Sequence, residues 1–204
     1  MRCQHCLFWQ RAEPADADVL TDTRRLEIIQ EFAELNPRSA VVICGGESML
    51  DATRYFGVSR LCLALGLRCL SVINGTCVAN ATTADRMIRD GPSEISVSLD
   101  DYREEKHDLQ RGIKGPFQKA VQAVRLLREV RERHPERPVR IYVMALVHED
   151  NYRELDAFHR FVLCDLRADK LKLNFLQPTS EDAPAMTNFS RATTSAIPTT
   201  CSPS

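Results

Sequence analysis

Ala40-Val41-Val42-Ile43-Cys44-Gly45-Gly46-Glu47 decides how the rest of the chain is read. A short, continuous apolar run with three β-branched residues is the pattern of a buried strand, predicted over residues 40–44. Two glycines and a carboxylate follow directly. In parallel α/β folds, ligands sit beyond the carboxyl ends of the strands. Gly45 and Gly46 let a ligand approach the backbone and adopt positive φ at little cost. Glu47 beside them is placed to hold an ammonium group. The plain alternative is a β-to-α turn with an exposed glutamate.

Working outward, helical and strand periods alternate. Apolar residues at helical spacing (Leu26, Ile29, Phe32, Ala33) predict a helix over 20–35, with Thr21 or Asp22 as cap and Asn36-Pro37 as its end. Further helices are predicted over 51–65, 80–89, 115–133 and 151–166, with Pro116 well placed in a first turn. Further strands are predicted over 68–73, 94–99, 139–146 and 170–176. Regular alternation of this kind implies a parallel α/β sheet with right-handed crossovers, an open sheet or a barrel. A strand is expected ahead of Cys3 and none precedes it, so the chain reads as lacking its first strand. That leaves the edge of 41–44 open, a hazard for aggregation.

The chain has 204 residues, a net charge of −1, 44% hydrophobic and 27% charged residues, the balance of a globular protein. The charge gives no reason to expect nucleic acid as a partner. No apolar run approaches the roughly 20 residues of a membrane span, and there is no signal-peptide core, so a cytoplasmic location is expected. The 8 cysteines do not read as a disulfide framework. Cys44, Cys62, Cys69 and Cys77 lie in apolar stretches and read as small hydrophobes. Residues 1–177 read as the folded core. Residues 178–204, rich in Ser, Thr, Ala and Pro, read as a disordered tail.

Several residues have the chemistry of a site. Cys3-Gln4-His5-Cys6 spaces two thiolates to bind one metal or share a cluster. The alternatives are half of a zinc site, which needs about two more ligands, or a redox pair. Asn74-Gly75-Thr76 follows the second strand and, taken alone, is a tight turn. Ser98 and Asp100 share one face at the end of the third strand. They offer a hydroxyl and a carboxylate to a ribose, and Arg111 offers a fork to a carboxylate. The competing reading of residues 100–111 is a solvated charged loop. Capping accounts for Asn151 at the head of a helix.

In this order, a cysteine loop, a strand ending in Gly-Gly-Glu, a strand ending in Asn-Gly, and Ser98-Leu99-Asp100 followed by Arg111-Gly112 resemble the radical S-adenosylmethionine (radical SAM) superfamily. The stretch from Ser98 through His107-Asp108 to Phe117 is similar to the branch that modifies peptides and proteins, which often carries a further cysteine-rich (SPASM-like) domain. The resemblance implies a partial (β/α)6 barrel, a [4Fe-4S] cluster on Cys3 and Cys6, and S-adenosylmethionine held by Gly45, Gly46, Glu47, Asn74, Ser98, Asp100 and Arg111. It also implies a reducing electron donor, cleavage to a 5′-deoxyadenosyl radical and hydrogen abstraction from a substrate, a peptide or protein in that branch.

The chain departs from the family pattern C-x-x-x-C-x-x-C in holding only its last two cysteines. Ser48 stands where proline usually follows Gly-Gly-Glu, and Cys201 is alone in the tail. Two thiolates leave a cubane with two open irons, so the chain as written is expected to hold the cluster poorly. The competing readings are a degenerate, inactive scaffold and a C-x-x-C zinc or redox protein.

Overall fold

A computed structural model describes residues 1–3, 6 and 19–175. Helix α1 (Asp22–Leu35) leads into strand β1 (Ala40–Ile43), then α2 (Ala52–Ala64), β2 (Arg68–Ile73), α3 (Ala81–Asp90) and β3 (Glu94–Ser98). Two helices follow in succession, α4 (Glu104–Arg111) and α5 (Pro116–Arg131), then β4 (Arg140–Val147), α6 (Leu155–Arg160) and β5 (Lys170–Phe175). The five strands pair in chain order, β1-β2-β3-β4-β5, and every pairing is parallel. Each crossover therefore steps one strand in the same direction, with no reversal. A right-twisted sheet wound this way curls toward a barrel rather than opening into a doubly wound sheet. The architecture is the partial barrel expected, with five strands among the described residues.

Local chemistry accounts for the boundaries. Thr21 caps α1 by accepting the Arg24 N–H, Asp51 caps α2 through Arg54 N, and Asn80 caps α3 through Thr83 N. Pro116 occupies the first turn of α5, where its missing N–H costs nothing. The Asp108 carboxylate accepts from Gly115 N (2.5 Å) and Phe117 N (2.9 Å), so α4 caps the helix that follows it.

The strand residues divide by period two. Ile73, Ile95, Val97, Ile141, Val143 and Ala145 pack against Met87, Ile88, Ala120, Val124, Leu127 and Phe158 of the helices, forming the main core. Each such fully buried aliphatic side chain contributes about 1.5–3 kcal/mol. On the other face the alternate residues of β3, Glu94, Ser96 and Ser98, are polar. Lys172 Nζ lies 3.3 Å from Ser96 Oγ, 3.7 Å from the Glu94 carboxylate and 4.2 Å from the Tyr142 ring centroid. Arg68 reaches Glu94 at 2.7 Å. Burial acts to raise the Glu94 pKa, yet the Arg68 and Lys172 charges hold it below its ordinary value.

Four expectations are corrected. Strand β1 is not buried: its residues alternate exposed and half-buried, and Val42 is 54% exposed. It is an edge strand paired on one side only among the described residues, so its apolar run does not report burial on both faces. Cys44 is exposed, whereas Cys62 and Cys69 do pack together as small hydrophobes beside Leu67. Residues 100–111 are not a solvated loop, because α4 lies within them and buries His107, Asp108 and Arg111. The segment read as one helix over 151–166 is a 3-10 turn, a short α-helix and a π turn in succession. The predicted tail, 178–204, lies outside the described residues. No described helix is long and apolar enough to cross a membrane.

Gly75, in the turn that follows β2, has φ +82°, and a Cβ there would lie 2.9 Å from the Ala120 Cα of α5. Both the backbone conformation and the contact demand glycine. Gly75→Ala is expected to destabilise the fold by about 2–4 kcal/mol, summing strain and overpacking, as read from urea unfolding midpoints. Gly46→Ala meets nothing within 4 Å and is expected to lose only the smaller conformational share.

Candidate functional site

The carboxyl ends of β1, β2, β3 and β4 gather nearly all the residues with site chemistry. After β1, Gly45 and Gly46 take successive positive φ values of 93° and 56°. Open space lies where a Gly46 side chain would stand. The turn is held by Glu47, whose carboxylate accepts from Met49 N at 3.2 Å and from Asn74 N at 2.8 Å. Glu47 therefore ties the end of β1 to the end of β2. Burial raises its pKa, opposed by the two N–H groups and by the positive charge of Arg111. Asn74 spends its side-chain oxygen within its own loop, accepting from Thr76 N (2.8 Å) and Thr76 Oγ1 (2.6 Å). The tight-turn reading of this tripeptide is correct for that atom.

Past β3, Asp100 is the centre of a buried polar cluster. Its carboxylate lies 2.7 Å from Arg111 Nη2 and accepts from Leu146 N at 3.1 Å. Its backbone N–H donates to His107 Nδ1 at 3.1 Å, and its carbonyl accepts from Asn151 Nδ2 at 2.9 Å. Arg111 continues the chain of contacts: Nη1 lies 3.9 Å from Cys3 Sγ. Cys3 is 8% exposed, and Cys6 turns back to it through Cys6 N–H to Cys3 O at 3.1 Å. Gly112 makes this approach possible. Its φ is +67°, and a Cβ there would stand 2.7 Å from the Arg2 carbonyl. Ser98 ends β3 half-buried. The structure thus brings Cys3, Arg111 and Asp100 into one line, with Glu47 within reach of the Arg111 charge, while Asn74 is turned into its own loop.

Two residues with a part in this site were not read as such. The sequence reading gave Asn151 only a capping role, but its side chain makes no cap. Its Nδ2 donates to Asp100 O and to Leu146 O (2.8 Å), and its Oδ1 accepts from His148 N at 2.9 Å. It clamps the end of β4 to the end of β3. His107 enters the sequence reading as part of the stretch from Ser98 to Phe117, with no role of its own. It is fully buried beside Phe117, with ring centroids 6.1 Å apart. The overlooked signal was Glu104-Glu105 in a first turn with Arg111-Gly112 at the close, the charge pattern and C-terminal glycine of a short helix.

The donor set suits a soft-metal cluster, since two cysteine sulfurs stand at C-x-x-C spacing, one of them buried beside a guanidinium. Among the described residues no group of three Cys, His, Asp or Glu side chains forms a complete metal site. His5 lies outside the described residues.

Burial, then the Arg111 charge, lowers the His107 pKa to about 4 from 6.5. The ring is neutral in the fold, and the unfolded chain takes up the proton first. His107 therefore costs no stability above pH 6.5, and stability falls as the pH drops from 6.5 toward 4, by roughly 3 kcal/mol in all. Glu47 acts with the opposite sign, so the measurement is the difference between wild type and His107→Gln, in urea midpoints across that range. Removing the charge of Asp100 leaves Arg111 buried without its partner. Asp100→Asn is expected to cost about 3–5 kcal/mol in the same assay.

Comparison with known proteins agrees with this geometry. The chain is 26% identical over 129 residues to an AdoMet-dependent heme synthase of Methanosarcina barkeri (strain Fusaro / DSM 804), a match covering 63% of this chain and 36% of that protein. Among solved structures, native anSMEcpe with bound AdoMet and Kp18Cys peptide superposes with a TM-score of 0.68 at 15% identity, over 94% of this chain and 52% of that one. Native anSMEcpe with bound AdoMet gives 0.63 at 15% identity, over 86% and 48%. The chain thus spans about a third of the curated relative and about half of each solved structure, and at this identity the structures establish the fold. The family model described as the Radical SAM superfamily matches residues 1–162. With most of the chain matched by that model, this chain belongs to the radical SAM superfamily.

Proposed function

We propose that this chain is the core of a radical SAM enzyme of the peptide- or protein-modifying, SPASM-like branch. The family's cofactors are a [4Fe-4S] cluster and S-adenosylmethionine. The observation that carries the reading is the continuous line from Asp100 through Arg111 to Cys3 at the carboxyl ends of parallel strands. Such a line has no structural necessity in a plain α/β domain, because it holds a charged pair in the interior at a desolvation cost.

The roles follow from the contacts. Cys3 and Cys6 hold the cluster. Gly45 and Gly46 let the methionine end of S-adenosylmethionine approach the backbone, where the space over Gly46 is open. Glu47 braces that turn and carries the negative charge that meets the ammonium group. Arg111 presents a fork for a carboxylate. Asp100 already binds Arg111 and Leu146 N, so it orients Arg111 rather than taking the ribose itself. Ser98, half-buried and at the strand end, is the hydroxyl left for the ribose. Asn74 acts through its backbone N–H on Glu47. When bound, the cluster and S-adenosylmethionine supply reductive cleavage and hydrogen abstraction, with electrons from an external reducing donor. The protein orients the reacting groups and excludes water.

Two observations support a peptide or protein substrate. The solved structures it resembles include anSMEcpe with bound Cp18Cys and Kp18Cys peptides. The face of the sheet opposite the helices carries partly exposed residues on β1, β2 and β5, room for a large substrate beside the strand ends.

Anaerobic reconstitution with iron counting and electron paramagnetic resonance tests the reading. With two thiolates the expected result is a weak, partly loaded cubane signal that S-adenosylmethionine perturbs and that Cys3→Ser and Cys6→Ser abolish. A protein that takes up no iron supports the inactive scaffold reading instead. Arg111→Lys keeps the charge and loses the fork, and is expected to weaken S-adenosylmethionine binding about tenfold, near 1.4 kcal/mol, in equilibrium dialysis.

A further inference from the structure

We propose that the inner face of the sheet, the face away from the helices, selects an acidic peptide, with Lys172 receiving a side-chain carboxylate of the substrate. The substrate class named here rests on the functional reading above and narrows it.

By the period-two rule, the inner face carries Arg68 on β2, Glu94 on β3, Arg140 on β4, and Lys170 and Lys172 on β5. Four cations thus share one face with a single carboxylate, in a chain whose net charge is −1. Glu94 is divided between two of them. Arg68 Nη2 lies 2.7 Å from one of its oxygens, and Lys172 Nζ lies 3.7 Å from the other. One carboxylate cannot neutralise both. The Lys172 ammonium has three N–H donors. Ser96 Oγ takes one at 3.3 Å, and the Tyr142 ring lies 4.2 Å from Nζ. At 3.7 Å Glu94 is beyond good hydrogen-bond distance, so the ammonium keeps donors for a ligand. Burial, with the neighbouring charges of Lys170 and Arg68, lowers the Lys172 pKa against the pull of Glu94. A further anion relieves that repulsion. The group is open to a ligand: the Lys172 side chain is 24% exposed and that of Arg68 62%.

The register fixes the height of this group. Ser98 pairs with Met144, and Met144 with Lys172, so the Lys172 backbone is level with the end of β3. Its side chain leans back to Ser96, two residues before Ser98 and about 7 Å along the strand. A carboxylate on Lys172 therefore lies one side-chain layer beneath the strand ends, and a single substrate spans both. The neighbours of the cations on the same face are Leu70, Val72 and Met144, each half-buried. They suit an aliphatic stem, and Lys172 suits the charge at its tip. A glutamate side chain on a peptide has both.

The test is equilibrium dialysis of tritiated acetyl-Ala-Ala-Glu-Ala-Ala-amide, its Gln counterpart and succinate against wild type, Lys172→Met, Lys172→Arg and Glu94→Gln, with the unfolding midpoint of each protein measured alongside. Wild type is expected to bind the Glu peptide about tenfold more tightly than the Gln peptide, the scale of one hydrogen bond between charged groups. Lys172→Met is expected to lose this preference and Lys172→Arg to keep it. Glu94→Gln is expected to strengthen it, because the competing carboxylate is gone; a purely structural ion pair would not give that gain. A preference unchanged in Lys172→Met, or absent in folded wild type, overturns the inference, while the functional reading stands on its own test of iron uptake and S-adenosylmethionine response. Succinate bound as tightly as the Glu peptide overturns the peptide as occupant in favour of a small acid.

Discussion

The buried pair of Asp100 and Arg111 is the interaction on which the site depends. An aspartate and an arginine enclosed in a fold are costly to desolvate, and the cost is offset only when the remaining polar atoms are satisfied. The fold meets that condition in part, from several elements at once, while Arg111 Nε is buried without a hydrogen-bond partner among the described residues. β4 supplies Leu146 N to the carboxylate, α4 supplies both Arg111 and the His107 ring, and the turn after β4 supplies Asn151 to the carbonyl. Loss of any one of these leaves a buried charge, carbonyl or N–H short of a partner. The ends of β3 and β4 and the helix α4 are therefore fixed relative to one another by electrostatics, where the rest of the sheet is fixed by apolar packing. Arg111, held this way, is the group that meets Cys3.

The sheet separates these two kinds of stabilisation by its two faces. The helix side is a continuous apolar core, and its glycine and alanine positions are tight enough that the Ala120 backbone bears directly on Gly75. The opposite side carries Arg68, Glu94, Lys172, Ser96 and Tyr142 in mutual contact. A polar inner face is what a curled sheet needs if its interior admits a polar ligand from the strand ends. β1, half-exposed at the edge, and the open space over Gly46 keep that approach clear on the side of the Gly-Gly-Glu turn.

Where sequence reading failed, the failures share a cause. Helix α4 was invisible to hydrophobic periodicity because its buried residues are His107, Asp108 and Arg111, all polar. Asn151 was read as a helix cap because that is what an asparagine before a helical period usually does, and its long-range bonds to Asp100 and Leu146 carry no local mark. β1 was read as buried because an apolar run reports what a strand tolerates, not which neighbours it has. Conversely, Thr21, Asp51 and Asn80 were legible as boundaries because a cap is satisfied within three residues of itself.

The sequence by itself determined the alternation of helices and strands, the parallel sheet, the glycine turn after β1 and the candidate residues at the strand ends. All of these rest on local periodicity, capping and backbone conformation, which act over a few residues. Only the tertiary structure decided that Asp100 serves Arg111 and that Arg111 reaches back across more than a hundred residues to Cys3. The physical reason is that pairing and burial of charge depend on which side chains distant in the chain share one low-dielectric space, and that is settled only when the sheet has closed around them.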